Sequence, residues 1–158
     1  MVLVSDGGTP FEIRRRVRSW LVPRLSRSFQ VVASQALAVR KRWLVAAYLR
    51  GVYRGAYWGL GTDVNEYQVP GAEPPPGYSG PPLDRLRVVR TDLDRFSSAE
   101  QSVLMNHGWA LAGAALARWG TDLVTAGGPA VAPDPALLEP AAAITALSES
   151  DQFRFFGH

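Results

Sequence analysis

Three apolar residues, Val2-Leu3-Val4, run directly into Ser5-Asp6-Gly7-Gly8, and this junction constrains the fold more than any other stretch of the chain. β-Branched residues favour extended backbone. Asp-Gly-Gly followed by Thr9-Pro10 breaks it. The expectation is a short strand over 2–4 with a carboxylate at its tip. On spacing alone two readings stay open: an Asp-Gly hairpin turn, or a strand end that aims Asp6 into a cleft.

With 158 residues, 47% of them hydrophobic, the chain has one domain's worth of material for a core. It has no cysteine, which removes thiol nucleophiles, thiolate metal sites and disulfides. Only His107 and His158 are histidines, so a histidine-rich metal site is not expected. Neither a signal peptide nor a membrane-spanning stretch is expected. The formal net charge of +3 hides an asymmetry. Residues 1–60 carry 11 basic and 2 acidic residues, a net of +9; residues 61–158 carry 6 basic and 12 acidic, a net of −6. A basic half suits an anionic membrane surface or nucleic acid, or it is a solvated Arg-rich face. No specific nucleic-acid motif accompanies it.

Along the chain, residues 11–22 are basic and irregular, with Phe11, Ile13, Val17, Trp20 and Leu21 as anchors. A long helix then starts near Pro23. Leu25, Phe29, Val32, Ala36, Val39, Trp43 and Ala47 recur at steps of three and four. This stripe is expected to face the core rather than a membrane. Arg40, Lys41, Arg42 and Arg50 are expected to complement the helix dipole, with Gly51 as terminator. Tyr57 and Trp58, between glycines, suit a short strand. Residues 69–82 hold six prolines and three glycines, an excursion loop of linker type. Ser97-Ser-Ala-Glu100 is a capping box that opens a second helix. Its expected face is Leu104, His107 or Gly108, Leu111, Ala115 and Trp119, with small residues around Ala110–Ala115 for close packing. After Gly120 the chain is Ala/Pro/Gly-rich and is expected to be loosely ordered, with a short helix near 140–148. Phe153-Arg154-Phe155-Phe156 closes the tail.

Four segments, in order, resemble bacterial patatin-like phospholipases: Val4-Ser-Asp-Gly-Gly-Thr-Pro-Phe-Glu12; Ser34-Gln35 with Arg40-Lys-Arg-Trp-Leu44; Arg54-Gly-Ala-Tyr-Trp-Gly-Leu60; and Arg90-Thr-Asp-Leu-Asp-Arg-Phe96 with Glu100 and His107-Gly-Trp-Ala-Leu111. The resemblance covers roughly residues 2–118. It implies an α/β class, here a partial three-layer α/β/α fold that is helix-rich because upstream sheet strands are missing. It divides the chain into residues 1–120, the C-terminal part of the domain, and a tail over 121–158.

Patatin-like enzymes hydrolyse lipid acyl esters with a Ser-Asp dyad. By position Asp6 is the dyad's general base, accepting the serine proton as that oxygen attacks the ester carbonyl. Gly7 and Gly8 would let the chain turn so that the carboxylate meets the cleft. The nucleophile needs a Gly-x-Ser-x-Gly elbow, and none occurs. Gly77-Tyr-Ser-Gly80 is the nearest imitation, and Pro81 spoils it; Ser97 is a cap and Ser34 lies within a helix. His107 is expected to pack within a helix. Asp92 and Asp94 suit a turn rather than a metal site.

The resemblance thus implies a hydrolase fragment inactive by itself, with no cofactor or metal. Its expected partners are a lipid or acyl ester, the missing N-terminal part and an anionic membrane surface. Its expected location is cytoplasmic or peripheral to the membrane. The alternative is a non-enzymatic basic helical module that binds anionic lipid or a protein.

Overall fold

A computed structural model of the chain describes residues 1–8, 21–89, 96–122 and 131–148. The irregular segment before residue 21, Asp92, Asp94 and the aromatic tail lie outside the described residues. The elements run β1 (Val2–Asp6), α1 (Leu21–Leu49), β2 (Gly55–Gly59), α2 (Pro81–Arg87), α3 (Ser98–Trp119) and α4 (Pro140–Ser148), with short 3-10 turns at Val64–Tyr67 and Pro135–Leu138. This is a mixed α/β arrangement. The chain divides into two units, one of residues 11–54 and one of residues 2–10 with 55–158.

The first unit is α1 and its terminating turn. Pro23 falls in the first turn of the helix, where its missing N–H costs no intrahelical bond. At the other end Gly51 takes a φ of 70°. The N–H of Gly51 donates to the Tyr48 carbonyl and that of Val52 to the Ala47 carbonyl, each at 2.9 Å. This is the paired C-terminal closure that satisfies orphan carbonyls. Two expectations for α1 are corrected. Arg40, Lys41 and Arg42 sit two turns before the end, beyond the short reach of the helix dipole, whereas Arg50 directly follows the last helical residue. The apolar stripe is not core-facing: Leu25, Phe29, Val32, Ala36, Val39 and Trp43 are all exposed, and only Ala47 is buried. Trp43 meets the edge of Tyr53, with centroids 5.9 Å apart.

In the second unit β1 and β2 pair in parallel, Val2 with Gly55 through Asp6 with Gly59. Among the described residues the sheet has these two strands. Side chains alternate across a sheet. Ala56 and Trp58 therefore share one face and pack against Ala110, Leu111, Ala114 and Ala115 of α3. Tyr57 projects from the other face.

The capping box holds: Ser97 Oγ accepts the Glu100 N–H at 3.2 Å and Glu100 Oε2 accepts the Ser97 N–H at 2.6 Å. The buried side of α3 is Val103, Asn106, His107, Ala110, Leu111, Ala114 and Ala115. It is offset from the expected face, since Trp119 is exposed.

Two segments expected to be loose are packed. The proline-rich stretch is not a plain linker: Tyr78 is fully buried, and its hydroxyl donates to the Leu137 carbonyl at 2.6 Å. Gly77 adopts φ 142°, and a Cβ there would stand 2.9 Å from the Ala110 Cβ, so only glycine lets the loop lie on α3. Pro81 and Pro82 end the loop early by opening α2. Past Gly120, Asn106 binds the backbone of Asp134 in both directions, at 2.7 and 2.9 Å. The helix α4 forms where expected and buries Ala143, Ala146 and Leu147 with Tyr78, Leu86 and Val103. The described part of 121–158 thus joins the core instead of trailing from it.

Candidate active site at Asp6

Asp6 is the last residue of β1 and is exposed. Its strand partner in register is Gly59, which has no side chain. Tyr57, two residues back on β2 and on the same face, fills that gap. Its ring lies across Gly59, where a Cβ would come within 3.2 Å of the hydroxyl. The Tyr57 hydroxyl donates to Asp6 Oδ2 at 2.7 Å. The Gly8 N–H donates to Asp6 Oδ1 at 2.9 Å. A carboxylate accepts about four hydrogen bonds, and these two contacts hold one oxygen each.

Burial pushes the Tyr57 phenol well above its ordinary value of 10, reinforced by the hydrogen bond to Asp6 and by the Asp6 charge. Tyr57 therefore stays a donor across the neutral range. It is itself held from behind, because the Tyr67 hydroxyl donates to the Tyr57 carbonyl at 2.7 Å.

The two glycines after Asp6 play unequal parts. Neither takes a left-handed φ, so backbone freedom of that kind is not their contribution. A Cβ on Gly8 would stand 3.0 Å from Asp6 Oδ1, whereas Gly7 faces open space. Gly8 thus serves by close approach and by its N–H.

The backbone of Asp6 is fastened as well. The Leu60 N–H donates to the Asp6 carbonyl at 2.9 Å. The Leu60 carbonyl in turn lies 2.9 Å from His107 Nε2 on α3. A carbonyl only accepts, so His107 carries its proton on Nε2. Its Nδ1 is buried with no hydrogen-bond partner, and burial lowers its pKa below the ordinary 6.5. His107 packs in the helix as expected, and it also anchors the strand end that bears Asp6.

Two of the serines weighed as a nucleophile have structural roles of their own. Ser97 caps α3, and the Ser34 hydroxyl donates to the Val31 carbonyl within α1 at 2.8 Å. Ser79 is exposed between buried Tyr78 and the first turn of α2. Among the described residues no group of three His, Cys, Asp or Glu side chains is placed to hold a metal ion.

No protein-family model matches the chain, and no curated protein or solved structure matches it either. The functional reading therefore rests on the residues themselves. Sequence reasoning singled out Asp6, Gly7 and Gly8. It noted Tyr57 only as a strand residue and His107 only as a packing residue. The signal for Tyr57 lay in the register: once both short strands are paired in parallel, a tyrosine two residues before a glycine reaches the carboxylate opposite that glycine.

Proposed function

We propose that this chain is the aspartate-bearing portion of a patatin-like lipid acyl hydrolase with a partial three-layer α/β/α fold. Asp6 is the general base of a Ser-Asp dyad whose serine comes from a segment outside these 158 residues. The observation that carries the reading is the fixed carboxylate: Asp6 ends a parallel strand and is held on one oxygen by Tyr57 and on the other by Gly8. Open parallel sheets place ligands beyond the carboxyl ends of their strands. A carboxylate is a weak base and acts on a serine only when positioned within hydrogen-bond reach of it.

In the proposed reaction the serine oxygen attacks the ester carbonyl while Asp6 takes its proton. The proton then passes to the departing alcohol, leaving an acyl-serine. Water repeats the sequence to release the fatty acid. Tyr57 and Gly8 hold the carboxylate still, and His107 holds the backbone beneath it. No metal or cofactor is required. The two-stranded parallel sheet among the described residues is small for a fold class that covers both sheet faces, which supports further strands being supplied from elsewhere.

The test has two arms. The isolated chain, given a short-chain p-nitrophenyl ester, shows no hydrolysis that depends on Asp6. The DNA upstream of the Met1 codon encodes a Gly-x-Ser-x-Gly elbow, in frame or shifted. Hydrolysis by the isolated chain that disappears in Asp6→Asn overturns the division of the dyad, and an upstream region without such an elbow overturns the family reading.

A further inference from the structure

The exposed stripe on α1 has no role in the proposed chemistry. Leu25, Phe29, Val32, Ala36, Val39 and Trp43 fall within an arc of about 80° and run for about 27 Å along the helix. Phe29 is 75% exposed, Trp43 63% and Leu25 60%. A continuous exposed apolar strip of this kind marks an interaction surface. Its surroundings identify the partner. Residues 13–62 contain 11 basic residues and not one acidic residue. Exposed Arg40 and Arg42 lie on either side of the line through Trp43, and exposed Lys41 lies on the far face.

We propose that α1 is an interfacial helix that docks on an anionic lipid surface, its apolar stripe entering the headgroup boundary and the flanking Arg40 and Arg42 side chains meeting lipid phosphates. A helix with a one-sided apolar strip and basic residues beside it lies in the plane of a membrane, and indole rings favour the headgroup level. No described helix is long and apolar enough to cross a membrane, so the mode is adsorption. A second copy of the chain fits the surface poorly, since pairing two α1 helices would bring two basic helices of like charge together. Docking does not depend on Asp6 and stands apart from the hydrolase reading.

The test is sedimentation of the full chain with vesicles of phosphatidylcholine alone or mixed with phosphatidylglycerol, at low and physiological salt. Binding is expected to the anionic vesicles, to weaken with salt, and to be slight with neutral ones. Replacing Arg40 and Arg42 with Gln is expected to lower the partition coefficient about 25-fold, on about fivefold per charge. A Phe29→Glu, Trp43→Glu double variant is expected to lose roughly tenfold or more, since the apolar face supplies the insertion. These side chains are exposed, and each variant is expected to keep its helix content by circular dichroism. Asp6→Asn is expected to bind as the wild type does, so this result and the hydrolase reading fail separately. The proposal is overturned by absence of binding to anionic vesicles at low salt, or by equal binding to neutral vesicles. It is overturned equally by undiminished binding of the double variant, or by a lipid-free dimer that the double variant dissolves.

Discussion

At the scale of residues, the site depends on one missing side chain. Gly59 stands opposite Asp6, and the space it leaves admits the Tyr57 ring. That contact spans 51 positions in the chain, so no local pattern announces it. What was legible was the apolar run ending in Asp-Gly-Gly; what it touches was not, because register between distant strands is a tertiary property.

The electrostatics make Tyr57 testable. With the folded phenol raised above 10, the unfolded chain releases that proton first. The fold thus binds more protons than the unfolded chain above pH 10. Its stability falls as pH rises from there, while the contribution is whole below pH 10. Phenolate absorbance, titrated in wild type and Tyr57→Phe, is expected to differ by one group that ionises well above pH 10. A missing group that titrates near 10 would contradict the Tyr57–Asp6 contact.

His107 gives the opposite sign. Its folded pKa lies below 6.5, so between that value and 6.5 the unfolded chain holds the extra proton. Stability is whole above pH 6.5 and declines as pH falls towards the folded pKa. Denaturant titration is expected to show this slope in the wild type and a shallower one in His107→Leu. That variant also leaves the Leu60 carbonyl without its donor, at a cost of about 1–3 kcal/mol.

At the scale of elements, local chemistry was readable wherever the chain satisfies its own backbone. The Ser97–Glu100 box and the alanine-rich α4 were legible because each needs only neighbours in sequence, and the short strand between glycines because its aromatic residues favour extended backbone. Ser97→Ala is expected to cost about 1 kcal/mol through loss of that cap, measured by thermal or denaturant unfolding.

The proline-rich stretch misled for the converse reason. Composition marks prolines as loop, yet Tyr78 and Gly77 are placed by α3. Pro81-Pro82 suits a helix start because the first N–H groups of a helix have no intrahelical partner. Gly77→Ala combines a strained φ with a 2.9 Å clash against Ala110. It is expected to destabilise the fold by at least about 2 kcal/mol, whereas Gly71→Ala shares the positive-φ strain, at φ 81°, but carries no clash. Equal midpoints for alanine at the two positions would contradict this packing.

At the scale of the whole molecule, periodicity located α1 but not its surroundings. The same three-and-four spacing serves a core-facing helix and an interfacial one, and only the exposure of Phe29 and Trp43 separates them. The central claim is that Asp6 supplies the base to a serine held outside these 158 residues. Its most direct test joins this chain to the segment encoded upstream, where the account places the serine, and measures kcat on a short-chain ester with Asp6 intact and as Asp6→Asn. The account predicts a fall of about 10²–10⁴-fold in kcat with the fold retained by circular dichroism. An unchanged kcat would contradict it.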